Sequence, residues 1–77
     1  MKPLNKFVVK HYGSQKSLAE SLGVAEHTIS RWMKREPAQM MRHAFAMSEG
    51  KPNKERKRFI ADLAAAIMDQ IETMNQN

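Results

Sequence analysis

The sequence predicts an all-α protein, and three observations carry that prediction. Strand signals are nearly absent, since "KFVVK" at 6–10 is the only β-branched run and is too short and isolated to found a sheet. Apolar residues recur at spacings of three and four, as an amphipathic helix requires. Glycine and proline at Gly13, Gly23, Pro37, Gly50 and Pro52 then divide the pattern into five helical segments.

The first segment covers 3–12. Pro3 suits a first-turn position, where no N–H is needed, and Gly13 stops the helix. Its inward face is Leu4, Phe7, Val8 and Tyr12. The second covers 15–22 behind Ser14 as N-cap, with Leu18, Ala19 and Leu22 as its apolar stripe. The third covers 26–34 and turns Ile29, Trp32 and Met33 inward. Pro37 ends that run, because the residue before a proline disfavours helical dihedrals. A fourth helix, rich in Met and Ala, covers 38–48 and stops at "SEGKPN". The last and longest covers 54–74.

Size and composition narrow the function. A chain of 77 residues is a single domain, 1–77, near the lower limit for a self-sufficient core, so pairing with a second copy is a reasonable source of further burial. There is no cysteine, which excludes disulfides and thiolate metal sites. His11, His27 and His43 lie sixteen residues apart, without the spacing of a zinc site. No run approaches the roughly 20 apolar residues of a membrane span, and "MKPLNKFVVKHYG" has charges inside its short apolar run, unlike a signal peptide. The expectation is a soluble protein of the cytoplasm with no metal, cofactor or small-molecule substrate.

The net charge is +5, and residues 1–35 hold all of it: seven Lys/Arg against Glu20 and Glu26. The remainder balances, six against six. A basic half suits a polyanion, and equally it is what solubility alone would ask for.

The stretch "AESLGVAEHTISRW", 19–32, breaks a helix at Gly23 and restarts it almost at once. Two short helices joined by a three- or four-residue turn containing glycine form a helix-turn-helix. That arrangement needs a small residue where the helices cross (Ala19), a permissive turn residue (Gly23) and an apolar plug (Val24). It also needs an aliphatic anchor beneath the second helix (Ile29) and a bulky apolar group after it (Trp32). All five are present.

On these residues, "LNKFVVKHYGSQKSLAESLGVAEHTISRWMK" resembles the DNA-binding region of temperate-phage Cro and CI-type repressors, with "SQKSLAESLGV" closest to the Cro proteins. The likeness covers 4–34. Beyond Lys34 it departs from Cro proteins that finish in strands and is closer to the all-helical members of the superfamily. The resemblance implies a compact five-helix, lambda-repressor-like helix-turn-helix domain, with the motif at 15–34, from a phage or prophage and working in the bacterial cytoplasm or nucleoid. It also implies that Gln15, at the start of helix two, contacts a phosphate.

A recognition helix leads into the major groove with its N-terminal residues. With Ile29 and Trp32 inward, Glu26, His27, Ser30 and Arg31 are the candidate base contacts. Arg31 suits guanine O6 and N7, Glu26 suits cytosine N4, Ser30 takes either role, and His27 can donate to a purine N7. Lys16 and Ser17 join Gln15 as candidate phosphate contacts, because free N–H groups at a helix start favour phosphate. Lys34 and Arg35 complete that set. The plain alternative is an ordinary solvated helix face.

The cluster "KERKR" at 54–58 opposes the macrodipole at a helix start, at a cost of roughly 0.3 kcal/mol per exposed charge. It reads as a solvated surface or a flanking phosphate contact, with Arg58 placed to pair with Asp62 one turn on. Along the last helix Ile60, Leu63, Ala64, Ile67, Ile71 and Met74 form one stripe, widened by Phe59 and Met68. That is more apolar face than a small bundle needs, so one part of the stripe is read as packing on the core and the rest as a homodimer interface, with wholly intramolecular packing as the alternative.

No paired carboxylates, nucleophile turn or phosphate-cradling glycine loop points to an enzyme. The reading is a DNA-binding repressor that holds a double-stranded, pseudo-palindromic operator as a homodimer. The rival is an antitoxin or phage adaptor that uses the same helices to bind a protein.

Overall fold

A computed structural model describes residues 2–75, and every regular element among them is helical. In chain order these are α1 (Pro3–Tyr12), α2 (Gln15–Leu22), α3 (Glu26–Arg35), a 3₁₀ segment (Pro37–His43), α4 (Ala44–Met47) and α5 (Asn53–Asn75). The ends of α1 and α2 fall where punctuation placed them. Those of α3 and α5 differ from expectation by one residue, which is within ordinary fraying.

One core holds these elements together. Leu4, Phe7 and Val8 of α1 meet Leu18 and Ala19 of α2, Ile29, Trp32 and Met33 of α3, and Phe59, Leu63 and Ile67 of α5. Tyr12, Leu22 and Val24 pack at its edge. Residues 59, 63, 67 and 70 recur at steps of four, four and three, so a single line along α5 faces inward. At its N-terminal end Phe59 meets Phe7 at a centroid distance of 5.3 Å, tying the last helix to the first. The Tyr12 hydroxyl donates to the Met47 carbonyl at 3.4 Å and links α1 to α4. No helix among the described residues is long and apolar enough to cross a membrane.

The region expected to form one helix at 38–48 is instead a 3₁₀ segment followed by a single α-turn. A 3₁₀ helix repeats every three residues. This places buried Pro37, fully buried Met40 and half-buried His43 on one side, with His43 stacked on Trp32 at 4.8 Å. Steps of 3.6 would rotate His43 off that side. In the α-turn that follows, Ala44 and Met47 are buried and Phe45 is left 75% exposed.

The apolar stripe of α5 is divided between the core and the outer side. Leu63 and Ile67 are buried in the chain's own core and present nothing to a second copy. Ile60, Ala64 and Met74 are half-buried, while Ile71 and Met68 are exposed. Arg58 and Asp62 do not form the expected ion pair; among the described residues the one ion pair joins Arg31 and Glu36.

Gly23 ends α2 in the left-handed conformation, φ 71° and ψ 29°. The Val24 N–H donates to the Ala19 carbonyl at 3.0 Å and the Gly23 N–H to the Glu20 carbonyl at 3.3 Å. This double closure satisfies the last carbonyls of α2 and brings Val24 back over Ala19, which is why both pack on the core. A Cβ on Gly23 would meet no neighbour, so the penalty for Gly23→Ala is purely of backbone origin. It is expected to lower stability by about 1–2 kcal/mol, read as a fall in the midpoint of urea unfolding without a change in slope.

Candidate nucleic-acid interface

The α2–α3 unit fixes two sets of polar groups. Ser14 caps α2: its Oγ accepts from the Ser17 N–H at 3.1 Å, and its carbonyl accepts from the Leu18 N–H at 3.2 Å. The Gln15 and Lys16 N–H groups are then the open donors of that turn. Ser17 differs from its neighbours. Its N–H is committed to the cap, and its hydroxyl accepts from the Ser14 hydroxyl at 3.2 Å, keeping only its own proton to donate outward. Lys16 and Ser17 are exposed and Gln15 is half-buried.

Across the turn, α3 is held from beneath by Ile29, Trp32 and Met33. Its outer side carries Glu26, His27, Arg31, Lys34 and Arg35, all exposed, with Ser30 half-buried. Ala25 provides no side-chain cap, so the first turn of α3 keeps its Glu26 and His27 N–H groups open as well. The Arg31 Nε lies 3.7 Å from the Glu36 Oε2, with both side chains at least half exposed. Such a pair is worth about 0–1 kcal/mol and releases its arginine easily. Chemically this side offers paired donors to acceptors on a nucleic acid, and one carboxylate as acceptor.

Gln15, Ser30 and Lys34 line a common cleft of about 200 Å³ between α2 and α3. The start of α2 and the outer side of α3 therefore belong to one continuous surface. Sequence reasoning missed three further residues of this cleft, Lys2, Asn5 and Gln70. Their positions at the two ends of the chain leave no local spacing to read. The basic cluster at 54–58 is not part of it: residues 54 and 58 lie roughly 18–24 Å along α5 from Gln70, at 1.5 Å per residue.

A second group of ionisable residues surrounds Phe59: His11, Lys51, Glu55, Arg58 and Asp62. His11 packs 4.4 Å from Phe7 and 5.1 Å from Phe59. Burial holds its pKa below the ordinary 6.5, with Lys10 and Lys51 acting in the same direction and Asp62 opposing them. The folded chain thus favours the neutral imidazole, whereas the unfolded chain protonates near 6.5. The resulting stability is present above that value and is lost as pH falls through the folded pKa. Stability is expected to decline as pH falls below about 6.5, and His11→Phe to flatten that decline, as read by thermal unfolding across pH.

Compared with models of known protein families, with curated proteins and with solved structures, the chain matches none.

Proposed function

We propose that the chain is a sequence-specific DNA-binding transcriptional regulator, a repressor of the Cro-like type, which binds a pseudo-palindromic operator as a homodimer. The observation that carries this reading is the continuous surface joining the open N–H groups at the start of α2 to the exposed outer side of α3. In this reading α3 enters the major groove, and Glu26, His27, Ser30 and Arg31 meet base edges. Gln15, Lys16, Ser17, Lys34 and Arg35 meet phosphates and set the register, because backbone contacts position a reader while base contacts specify the site. The concentration of net charge in residues 1–35 supports the same face.

Dimerisation completes the proposal, because one recognition helix reads few base pairs and two-fold symmetry doubles them. With Leu63 and Ile67 inside the core, the surface left for a partner includes Met68 and Ile71 of α5. A second reading, a module that docks a protein, is favoured by Phe45, a large apolar side chain left 75% exposed. Titrating a labelled mixed-sequence duplex across a salt series tests the first reading. Affinity is expected to fall linearly on a log–log plot, by a slope of about 0.9 per phosphate contacted. Absence of duplex binding at low salt would favour the protein-docking reading.

A further inference from the structure

Gln70 sits on the buried line of α5 and is 1% exposed, the one fully buried amide of the core. Its Nε2 donates to the Met33 carbonyl at 3.2 Å. That partner fixes the orientation of the amide, because a carbonyl accepts and never donates. The Oε1 is therefore the free end, and it is buried with no donor beside it. A leucine or methionine would remove that stranded oxygen but would strand the Met33 carbonyl instead, which Pro37, four residues on, cannot serve.

Gln70 forms part of the wall of the cleft between α2 and α3. Lys2 and Asn5 from the start of the chain, Gln15 from the first turn of α2, and Ser30, Met33 and Lys34 from α3 form the rest. Two lysines thus line a pocket whose wall also includes Gln70, with its unpartnered Oε1. The ammoniums call for an anion. The acceptor calls for a donor, so an anion with no proton of its own cannot rest directly on Gln70. A water answers both, giving one O–H to Oε1 and the other to the anion. Six of the seven side chains around the cleft are polar, Met33 being the exception, and at about 200 Å³ it is roomy enough to hold a water.

We propose that this cleft seats one backbone phosphate of bound duplex DNA, gripped by Lys2 and Lys34, with a water bridging the phosphate to Gln70. The proposal rests on the DNA-binding reading and extends it to residues at both ends of the chain. Its content is that Lys2 and Gln70 act in binding and that the C-terminal helix takes part in holding DNA. Gln70 has a further role here: its bond to the Met33 carbonyl holds the last turns of α3 against α5, beside Ser30 and Lys34.

The test is duplex affinity of the full chain from 50 to 200 mM salt for the unaltered protein, Lys2→Gln, Gln70→Met and Lys57→Gln. Lys57 is exposed near the other end of α5 and serves as the control. Lys2→Gln is expected to weaken binding to every sequence and to reduce the salt slope by about 1. Lys2 is exposed, so this variant leaves the core untouched. Gln70→Met removes no charge, but it removes both the acceptor and the donor to the Met33 carbonyl. It is expected to weaken binding several-fold at every salt concentration with the slope kept, and to lower the melting temperature. Lys57→Gln is expected to change the slope less than Lys2→Gln does. If the unaltered protein binds duplex and both cleft variants bind equally well, the phosphate seat is wrong while the DNA-binding reading stands. If the unaltered protein binds no duplex, that reading fails and the seat with it. Inorganic phosphate titrated into the free protein separates the two sources of the anion. Saturable phosphate binding that Lys2→Gln removes, with duplex affinity unchanged, would assign the cleft to a free anion and overturn the proposal.

Discussion

Trp32→Ala is expected to lower folding stability by about 3–5 kcal/mol, the usual result of truncating a buried tryptophan. Trp32 is 8% exposed and belongs to the core that anchors α3 from beneath. Its ring also stacks on His43 at 4.8 Å with planes 21° apart, joining α3 to the 3₁₀ segment. A chain of this size has of order 0.05–0.15 kcal/mol of stability per residue, roughly 4–12 kcal/mol in all, so the loss is a large share of it. Urea unfolding followed by far-UV circular dichroism is the appropriate readout, since the variant lacks the chain's single tryptophan. His43→Ala removes only the stacking partner and is expected to cost about 0.5–1.5 kcal/mol. A loss below 1 kcal/mol for Trp32→Ala would mean that α3 is anchored by something other than this contact.

Arg31→Ala is the corresponding expectation for function. Arg31 is exposed on α3, and its one ionic partner is Glu36 at 3.7 Å. Because that pair is weak, turning the guanidinium toward a guanine costs little and gains a bidentate contact. Its removal is expected to weaken binding to the preferred duplex by about 1–3 kcal/mol and to relax preference at one base pair. Gln15→Ala, by contrast, is expected to weaken all sequences about evenly, since a phosphate contact carries no base information. Competition against single-base variants of the site separates the two patterns. Duplex affinity unchanged by Arg31→Ala would bring the protein-docking reading forward.

The local part of the architecture was legible because local chemistry decides it. Ser14 before a helical run is a cap in sequence and in structure. Gly23 with Ala19 four before it and Val24 after it encodes the closure that ends α2. The inward side of α3 follows from the spacing of Ile29, Trp32 and Met33.

The 3₁₀ segment was not legible, because apolar residues at 37, 40, 41, 44 and 45 fit a step of 3.6 and not a step of three. The shorter period goes with the tertiary contact of His43 with Trp32, which no local spacing encodes. Gln70 was hidden for another reason. A search for apolar periodicity passes over an inward polar residue, although 59, 63, 67 and 70 share one line and Ile71 beside it is 37% exposed. The cleft joins Lys2 to Gln70 across nearly the full chain, a proximity that only the packed fold supplies.

Selection of the purified protein against a random duplex library at near-physiological salt tests the central claim most directly. The account predicts an enriched inverted repeat, with half-sites about one helical turn apart as a symmetric pair of recognition helices requires. Weak, salt-sensitive binding with no enriched sequence would contradict it.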